Sequence, residues 1–369
     1  INSYGIEDND FAIIAYSKEG RDHIARVNLI TGEMANIGDA FSSADSVLVA
    51  NETVYFRAST TSSGNAIYQL IANDYKKIYQ PSGPAIEKGF LSEPLTIEFP
   101  TGINETAYGF YYPPQNNNII GAKGTLPPLI VKVHGGPVGA TDSSLNPGIQ
   151  FWTSRGFAVF DVNHRGSTGY GRTFRKKIYP NWGVVDVEDA SNGVKWLASE
   201  GFIDADKVAI RGGSAGGYTT LAALAFQNVF KAGTSYYGIS DLGILASDTH
   251  KFESRYLDQL IGPYPEMKSV YDQRSPINSV KNITAPLLLL QGLDDKVVPP
   301  NQSELIFNAL KDNCISTAYI TFEGEGHGFR QPANNIKALN SELSFYGQVF
   351  GFVPAGNIEE VQLTRCGSE

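Results

Sequence analysis

Residues 210–220 read IRGGSAGGYTT and place one serine among four glycines, between an apolar run and a helix-like segment. Gly212, Ser214 and Gly216 fit the Gly-x-Ser-x-Gly pattern of a nucleophile elbow, a sharp turn that joins a strand to a helix. Glycine suits such a turn because it tolerates strained backbone angles and leaves room for close strand–helix packing. The pattern predicts a serine hydroxyl that projects from the carboxyl edge of a sheet. By itself it also occurs in glycine-rich turns that carry no chemistry.

The chain around this turn alternates between strand and helix from about residue 129 onwards. Buried-strand patterns at 129–133, 158–162, 207–210 and 286–290 alternate with helix-like segments at 184–200, 215–226, 302–312 and 337–350. Continuous apolar strands separated by helices are typical of a mainly parallel sheet covered on both faces. The elbow and this alternation together predict an α/β-hydrolase fold.

The first ninety residues have a different pattern. Strand patterns at 11–17 and 23–30 return at 54–60 and 66–72, a repeat typical of antiparallel β-propeller blades. A small β-sandwich or meander is the alternative. Two blades cannot close a propeller, so we expect a partial propeller at 1–88, an α/β-hydrolase domain at 89–355 and a tail at 356–369.

Composition excludes several classes of function. The net charge of −9, with no basic block, argues against nucleic-acid or anionic-membrane partners, and no apolar stretch could span a membrane. Neither a metal nor an organic cofactor is expected, because the sequence shows no cluster of ligands for one. We expect Cys314 and Cys366 to be free thiols. We also expect a cytoplasmic protein whose natural N-terminus precedes Ile1, and leave a homo-oligomer open.

A serine nucleophile needs a base, and the base needs an orienting carboxylate. In α/β-hydrolases the order along the chain is Ser, then Asp or Glu, then His. His327, in the stretch FEGEGHGF, is the only histidine near the C-terminus and would be the base for Ser214. Asp294 and Asp295 both follow the apolar run 286–290, and their position alone does not choose between them.

The oxyanion that forms when the serine attacks a carbonyl needs two hydrogen-bond donors. The N–H of Ala215, directly after the nucleophile, is one candidate. The glycine-rich turn after the strand at 129–133 supplies the other, with Gly136 favoured and Gly135 as the second choice, because a glycine N–H can approach an anion closely. A purely structural turn is the alternative.

Six stretches in this order resemble the prolyl oligopeptidase family of serine peptidases, particularly its acylaminoacyl-peptidase and dipeptidyl-aminopeptidase-like branch. They are HGGP (134–137), NHRGSTGYGR (163–172), WGVVDVED (182–189), GGSAGGY (212–218), GLDDKVVPPNQ (292–302) and GEGHGF (324–329). The resemblance implies that Ser214 is the nucleophile and His327 the base. It chooses Asp295 as the acid, because the family places that residue three positions after the glycine at Gly292. It also favours Gly136 as an oxyanion donor.

The resemblance further implies that residues 249–265 line the pocket for the residue before the cut. Phe252 and Tyr256 are four apart, which would place them on one helix face and make that pocket apolar, although both could be core aromatics. Tyr236 and Tyr237 are candidates of lower rank. Arg255 could bind the substrate backbone or form an exposed salt bridge.

The sequence therefore predicts a serine peptidase that cleaves short peptides near the N-terminus through an acyl-enzyme. Val297 stands where the dipeptidyl peptidases carry an asparagine, so strict dipeptidyl-peptidase specificity is not expected. A carboxylesterase with the same triad is one alternative, since the fold alone does not separate esters from amides. A non-catalytic binding protein on a hydrolase fold is the other.

Overall fold

The computed structural model describes residues 1–83, 86–248 and 253–364. Within these residues the chain forms two four-stranded antiparallel sheets and one eight-stranded mixed sheet.

The two small sheets follow each other along the chain and form the two predicted blades. The first contains β1 (Ser3–Ile6), β2 (Phe11–Lys18), β3 (Arg21–Asn28) and β4 (Met34–Phe41). The second contains β5 (Ser43–Ala50), β6 (Thr53–Thr60), β7 (Ser63–Ile71) and β8 (Asp74–Tyr79). Strands pair in chain order within each sheet. The sheets pack on a core of their own, in which Phe41 contacts the rings of Phe56 and Tyr68. The prediction of a partial propeller is confirmed.

The large sheet is that of an α/β-hydrolase, as predicted. Its strands are β9 (Leu95–Thr101), β10 (Glu105–Tyr112), β11 (Leu129–Val133), β12 (Ala158–Asn163), β13 (Val208–Gly213), β14 (Ala232–Tyr236), β15 (Leu287–Gly292) and β16 (Thr317–Phe322). Their order across the sheet is β16-β15-β14-β13-β11-β12-β10-β9, and only β10 runs antiparallel to its neighbours, β12 and β9. The chain goes from β11 to one neighbour, β12, and then returns to the other, β13. Such a reversal opens a crevice at the carboxyl ends of the strands, where ligands bind in open α/β sheets.

Helices cover both faces of this sheet. They are α1 (Pro147–Thr153), α2 (Gly171–Lys176), α3 (Val185–Ser199), α4 (Ala215–Phe226), α5 (Leu242–Asp248), α6 (Tyr256–Leu260), α7 (Lys268–Arg274), α8 (Asn301–Asp312) and α9 (Pro332–Phe350), with 3₁₀ turns at Lys88–Phe90 and Pro276–Asn282. One core lies under α3, α4 and α8, and a second lies under α1 and α9. Two buried layers on opposite faces explain why the strands carry unbroken apolar runs.

The segment that follows α9 packs against the hydrolase domain. Val361 is buried in the core under α9, and its carbonyl accepts a hydrogen bond of 2.9 Å from the Gln348 side chain. Thr364 pairs with Thr317 at the edge strand β16.

Cys314, just before β16, is disulfide-bonded, so the expectation of two free thiols is wrong. Cys366 lies outside the described residues. A disulfide is more typical of an oxidising compartment than of the cytoplasm.

The blades contact the hydrolase through residues 139–146, directly after the HGGP turn. The Leu145 N–H donates to the carbonyl of Thr60 over 2.9 Å. The Ser143 hydroxyl donates to that of Ser42 over 3.0 Å. One loop therefore leaves the crevice and reaches the second blade. No helix of the described residues is long and apolar enough to cross a membrane.

The glycine at position 193 of α3 gives a test of the packing between helix and sheet. Replacing glycine by alanine inside a helix normally stabilises it by about 1 kcal/mol. Here an added Cβ would lie 2.5 Å from the Phe160 ring and 3.2 Å from that of Phe99. We expect Gly193→Ala to lower the unfolding free energy by about 1–3 kcal/mol in urea denaturation, because the added methyl overpacks the core.

Gly64 provides the matched control, because an added Cβ there meets nothing within 4 Å. Gly64→Ala should leave stability within about 0.5 kcal/mol of the parent, as most surface changes do. A Gly193→Ala protein that is as stable as the control would contradict the close contact between α3 and β12.

Candidate active site

Ser214 lies in a strained turn between β13 and α4. Its φ of 57° and ψ of −122° are backbone angles that residues other than glycine rarely adopt. Two backbone hydrogen bonds stabilise this conformation. The Ser214 N–H donates to the Tyr236 carbonyl over 3.0 Å, and the Ser214 carbonyl accepts from the Tyr218 N–H over 2.9 Å. The predicted elbow thus has the geometry that its glycines indicate.

The glycines around Ser214 are required by backbone contacts on three sides. A Cβ on Gly212 would lie 2.4 Å from the Gly216 oxygen, and one on Gly216 would lie 2.3 Å from the Val133 oxygen. A Cβ on Gly217 would lie 2.7 Å from the Cα of Gly238. No side chain fits at any of these positions, so the ends of β11, β13 and β14 meet the first turn of α4 directly.

The acid and the histidine are hydrogen-bonded to each other. His327 Nδ1 lies 2.8 Å from Asp295 Oδ2, and the Asp295 side chain is fully buried while that of His327 is 24% exposed. The other carboxylate oxygen accepts the backbone N–H groups of Val297 and Val298, each at 2.9 Å. Because the carboxylate holds Nδ1, Nε2 is the nitrogen left to exchange a proton. Asp294 is exposed, so the structure brings Asp295 and not Asp294 to the histidine.

Tyr237 lies between the elbow and the histidine. Its ring is 4.8 Å from the His327 ring, measured between centroids. A Cβ on Gly213, the residue before Ser214, would lie 3.0 Å from the same tyrosine ring. The half-buried Tyr237 therefore contacts both sides of the site, and Ser214 and His327 follow β13 and β16 at one edge of the sheet.

Glu325, which fastens the histidine loop, was not among the predicted site residues. Its buried carboxylate accepts the N–H groups of Arg330 at 2.9 Å and Gln331 at 3.0 Å, and the Asn334 side chain at 2.8 Å. The Arg330 N–H, followed by the Asn334 amide, holds the pKa of Glu325 below its ordinary value. An acidic residue between two glycines, two positions before the histidine, was the available signal.

The same loop is joined to the acid loop through backbone. The Asp294 N–H donates to the Glu325 carbonyl over 2.9 Å. A Cβ on Gly292 would lie 2.4 Å from that carbonyl oxygen, so only glycine lets the loops meet. The distance between Asp295 and His327 is therefore fixed by contacts of the two backbones.

The candidate oxyanion donors lie beside the serine. A Cβ on Gly135 would be 3.6 Å from the Ser214 Cβ, and Gly136 has a φ of 58° that favours glycine. In the described part of the chain, no backbone acceptor pairs with the N–H of Gly135, Gly136 or Ala215. Ala215 is the first residue of α4, where N–H groups have no partner within the helix and attract negative charge. The site can therefore offer unpaired donors to an oxyanion.

The candidate pocket residues are only partly brought to the site. Tyr256 begins α6 and is half-buried; burial raises its pKa to about 12, and the Val138 backbone, just after the HGGP turn, is one of its neighbours. Tyr236 is buried and donates to Glu342 over 2.7 Å, so its hydroxyl belongs to the core. Arg255 is 80% exposed and pairs with Asp258 at 2.9 Å. Phe252 lies outside the described residues.

The strand order, the elbow and the Ser–Asp–His order define an α/β-hydrolase of the serine type. Among the described residues, no group of three or more His, Cys, Asp or Glu side chains could hold a metal ion. The sequence model of the prolyl oligopeptidase family matches residues 143–352. The chain belongs to that family of serine-type peptidases.

Three proteins similar to this chain have names that describe peptidases. The dipeptidyl aminopeptidase BIII of Pseudoxanthomonas mexicana is 33% identical over 294 residues, which are 77% of this chain and 42% of that protein. A puromycin-hydrolyzing peptidase of Mycobacterium tuberculosis matches with a TM-score of 0.93 and 38% identity, over 98% of this chain and 55% of that one. An acylaminoacyl peptidase of Pyrococcus horikoshii gives a TM-score of 0.80 and 26% identity, over 94% of this chain and 55% of that one. This chain thus spans about half the length of the proteins it matches.

The hydrogen bonds of Glu325 lead to a prediction about pH. A carboxyl group whose pKa is lowered by folding stabilises the protein above its unfolded pKa, and this stabilisation is lost as pH falls through the folded pKa. We expect Glu325→Gln to be less stable than the parent at neutral pH, with a difference that shrinks below the ordinary glutamate pKa of 4.5. Turnover should fall several-fold, because the histidine loop loses an acceptor. Thermal unfolding and kcat measured from neutral to acid pH test both effects.

Glu323 is the matched control, since it is exposed and stands two residues before Glu325. Glu323→Gln should change neither the pH dependence of unfolding nor turnover. A Glu325→Gln protein with the pH dependence of the parent would remove the carboxylate from this role.

Proposed function

We propose that Ser214 is the nucleophile, His327 the general base and Asp295 its orienting acid in a serine peptidase that cleaves short peptides near the N-terminus. The observation that carries this proposal is the 2.8 Å hydrogen bond from His327 Nδ1 to the buried Asp295, at the sheet edge where the elbow presents Ser214. This buried carboxylate, held by two further N–H donors, fixes the imidazole tautomer.

The arrangement supports acyl transfer in two steps. In the first, His327 Nε2 takes the proton from the Ser214 hydroxyl while Oγ bonds to the substrate carbonyl carbon. The N–H groups of Ala215 and Gly136 then hold the oxyanion, and each such donor contributes about 3 kcal/mol to the transition state. His327 returns the proton to the leaving amine as the C–N bond breaks. In the second step, water activated by His327 attacks the acyl carbon and releases Ser214.

The substrate class follows from the relatives and from the surroundings of the site. The relatives are named as a dipeptidyl aminopeptidase, an acylaminoacyl peptidase and a puromycin-hydrolyzing peptidase, and the first two names indicate cleavage near an amino end. The Tyr237 ring contacts the His327 ring, and Tyr256 lies near the Val138 backbone just after the HGGP turn. We propose that both tyrosines contact the residue before the cut. We also propose that residues 1–88, 89–355 and 356–369 form the partial propeller, the catalytic domain and a tail.

The role of Ser214 can be tested by covalent labelling. We expect a fluorophosphonate to label Ser214 in the folded protein, and His327→Ala to abolish labelling. Ser214→Ala should lose about 10⁶ in kcat, by analogy with the subtilisin nucleophile. Peptide mapping by mass spectrometry locates the label, and circular dichroism confirms that each variant is folded. Label on another residue, or turnover retained by Ser214→Ala, would exclude this mechanism.

Peptidase and esterase activity are separated by a matched substrate panel. Aminoacyl, dipeptidyl and N-acetylaminoacyl anilides should be hydrolysed, with rates that are lost in Ser214→Ala. The corresponding methyl esters serve as controls, because the same triad cleaves the more reactive ester regardless of amide activity. Hydrolysis of the esters alone by the folded protein would favour the carboxylesterase alternative.

A further inference from the structure

Glu342 of α9 is a buried carboxylate to which the mechanism above gives no part. Its side chain is fully buried, and Arg211 binds it with two N–H groups. Nε donates to Oε1 and Nη2 to Oε2, each over 3.0 Å. The Tyr236 hydroxyl donates to Oε2 over 2.7 Å, and the Tyr346 hydroxyl donates to Oε1 over 3.2 Å. A carboxylate has about four acceptor positions, so these donors satisfy both of its oxygens.

The chemistry of these donors fixes the direction of every bond. Burial, and next the Glu342 carboxylate, raise the pKa of Tyr236 and of Tyr346 well above the ordinary value, so both hydroxyls keep the proton that they donate. An arginine side chain cannot lose its charge in a protein. The Arg211 guanidinium carbon also lies 5.1 Å from the centroid of the Tyr236 ring, within the range of a cation–π contact. Glu342, Arg211 and Tyr236 therefore form one satisfied and rigid set of contacts, which we call the Glu342 network.

Two members of the Glu342 network lead to the nucleophile. Arg211 lies in β13, three positions before Ser214. Tyr236 is the last residue of β14, and its carbonyl accepts the Ser214 N–H over 3.0 Å. The same carbonyl oxygen would lie 2.9 Å from a Cβ on Gly217, so it also faces the first turn of α4 closely. Glu342 is therefore bonded both to the strand that enters the elbow and to the residue that accepts the elbow N–H.

The Glu342 network also reaches the histidine loop. Helix α9, which carries Glu342, begins five positions after His327. Phe329 lies between them along the chain, and its ring is 5.8 Å from the Tyr236 ring, measured between centroids. The Phe329 ring is also 5.6 Å from the ring of Tyr237, which contacts the His327 ring. The network therefore joins β13, β14 and α9, the elements that lead to the nucleophile and away from the base.

Stability alone does not explain the Glu342 network. Burying an ion pair costs solvation free energy, and well-packed apolar residues of similar volume are often as stabilising or more so. Apolar residues could not, however, accept a directed hydrogen bond from Tyr236.

We propose that Glu342 is a positioning residue for the nucleophile. Through Arg211 and the Tyr236 hydroxyl, it holds the Tyr236 carbonyl at the Ser214 N–H and so fixes the nucleophile relative to the base. The proposal rests on the proposed function, because it needs the reaction of Ser214. Glu342 itself touches neither the substrate nor the reacting atoms.

Two matched tyrosine variants test the proposal. Tyr236→Phe and Tyr346→Phe each remove one hydroxyl from the same buried carboxylate, but only Tyr236 carries the carbonyl that accepts the Ser214 N–H. We expect Tyr236→Phe to lose about tenfold in kcat with KM unchanged, because a displaced catalytic group lowers the rate without weakening substrate binding. Tyr346→Phe should retain the turnover of the parent. The rate at which a fluorophosphonate labels Ser214 should fall with kcat, while a substrate-like competitive inhibitor binds as before.

A double variant separates positioning from folding stability. Arg211→Met combined with Glu342→Met removes both charges together, so the protein should unfold at about the temperature of the parent. We expect kcat to fall at least as far as in Tyr236→Phe, because the tyrosine hydroxyl has lost its acceptor. A double variant with the kcat of the parent would overturn the proposal. So would equal kcat values for Tyr236→Phe and Tyr346→Phe, or a loss of kcat matched by an equal loss of affinity for the competitive inhibitor.

Hydrogen exchange tests the same bond without any turnover. The exchange rate of the Ser214 amide, followed by NMR, should rise in Tyr236→Phe and remain that of the parent in Tyr346→Phe, because only the first variant loosens the acceptor. An unchanged rate in Tyr236→Phe would overturn the proposal. A folded parent protein that neither hydrolyses amides nor reacts with the fluorophosphonate would instead count against the proposed function, and the exchange rate would still decide the role of the Glu342 network.

Discussion

Direct contact between backbones at the start of α4 is the constraint on which the site depends. The carbonyl of Val133, the last residue of β11, leaves no space for a side chain on Gly216. The same closeness brings the Gly135–Gly136 turn beside Ser214, since β11 and β13 are neighbours at the point where strand order reverses. An alanine at position 216 would therefore push the nucleophile away from its oxyanion donors, although every catalytic group would still be present.

The same principle joins the acid loop to the histidine loop. Gly292 lets the turn after β15 meet the turn after β16, and the Glu325 carboxylate then closes the second turn on itself. Hydrogen bonds to a buried carboxylate are rigid when all its oxygens are satisfied. Backbone contacts therefore hold Ser214 on one side of the site and the Asp295–His327 pair on the other. This explains why a glycine stands within the three positions before each of these residues.

Local patterns predicted the parts of the fold in which propensity and packing agree. The strand at 129–133 and the helix at 215–226 have the bounds that their apolar patterns indicated, and the elbow glycines predicted the strained turn. The antiparallel strands β9 and β10 and the short helices α5 and α7 were not predicted, because tertiary contacts and not periodicity define them. Helix α9 begins at Pro332, earlier than expected, since proline is well tolerated at the first turn. The buried pair of Arg211 and Glu342 lies 131 positions apart, beyond any local signal.

The loop that leaves the oxyanion turn also connects the catalytic domain to the blades. Leu145, which donates to Thr60, lies nine positions after Gly136, and the Thr141 side chain anchors the middle of that path to the buried Asp161. Asp161 also pairs with Lys132 of β11 at 2.6 Å. If the second blade moved, the loop would still be held to β11 and β12 at Thr141, between the blade and the Gly135–Gly136 turn. The bonds of Thr141 and Lys132 to Asp161 thus lie between the blade contacts and the oxyanion donors, and they hold the loop independently of the blades.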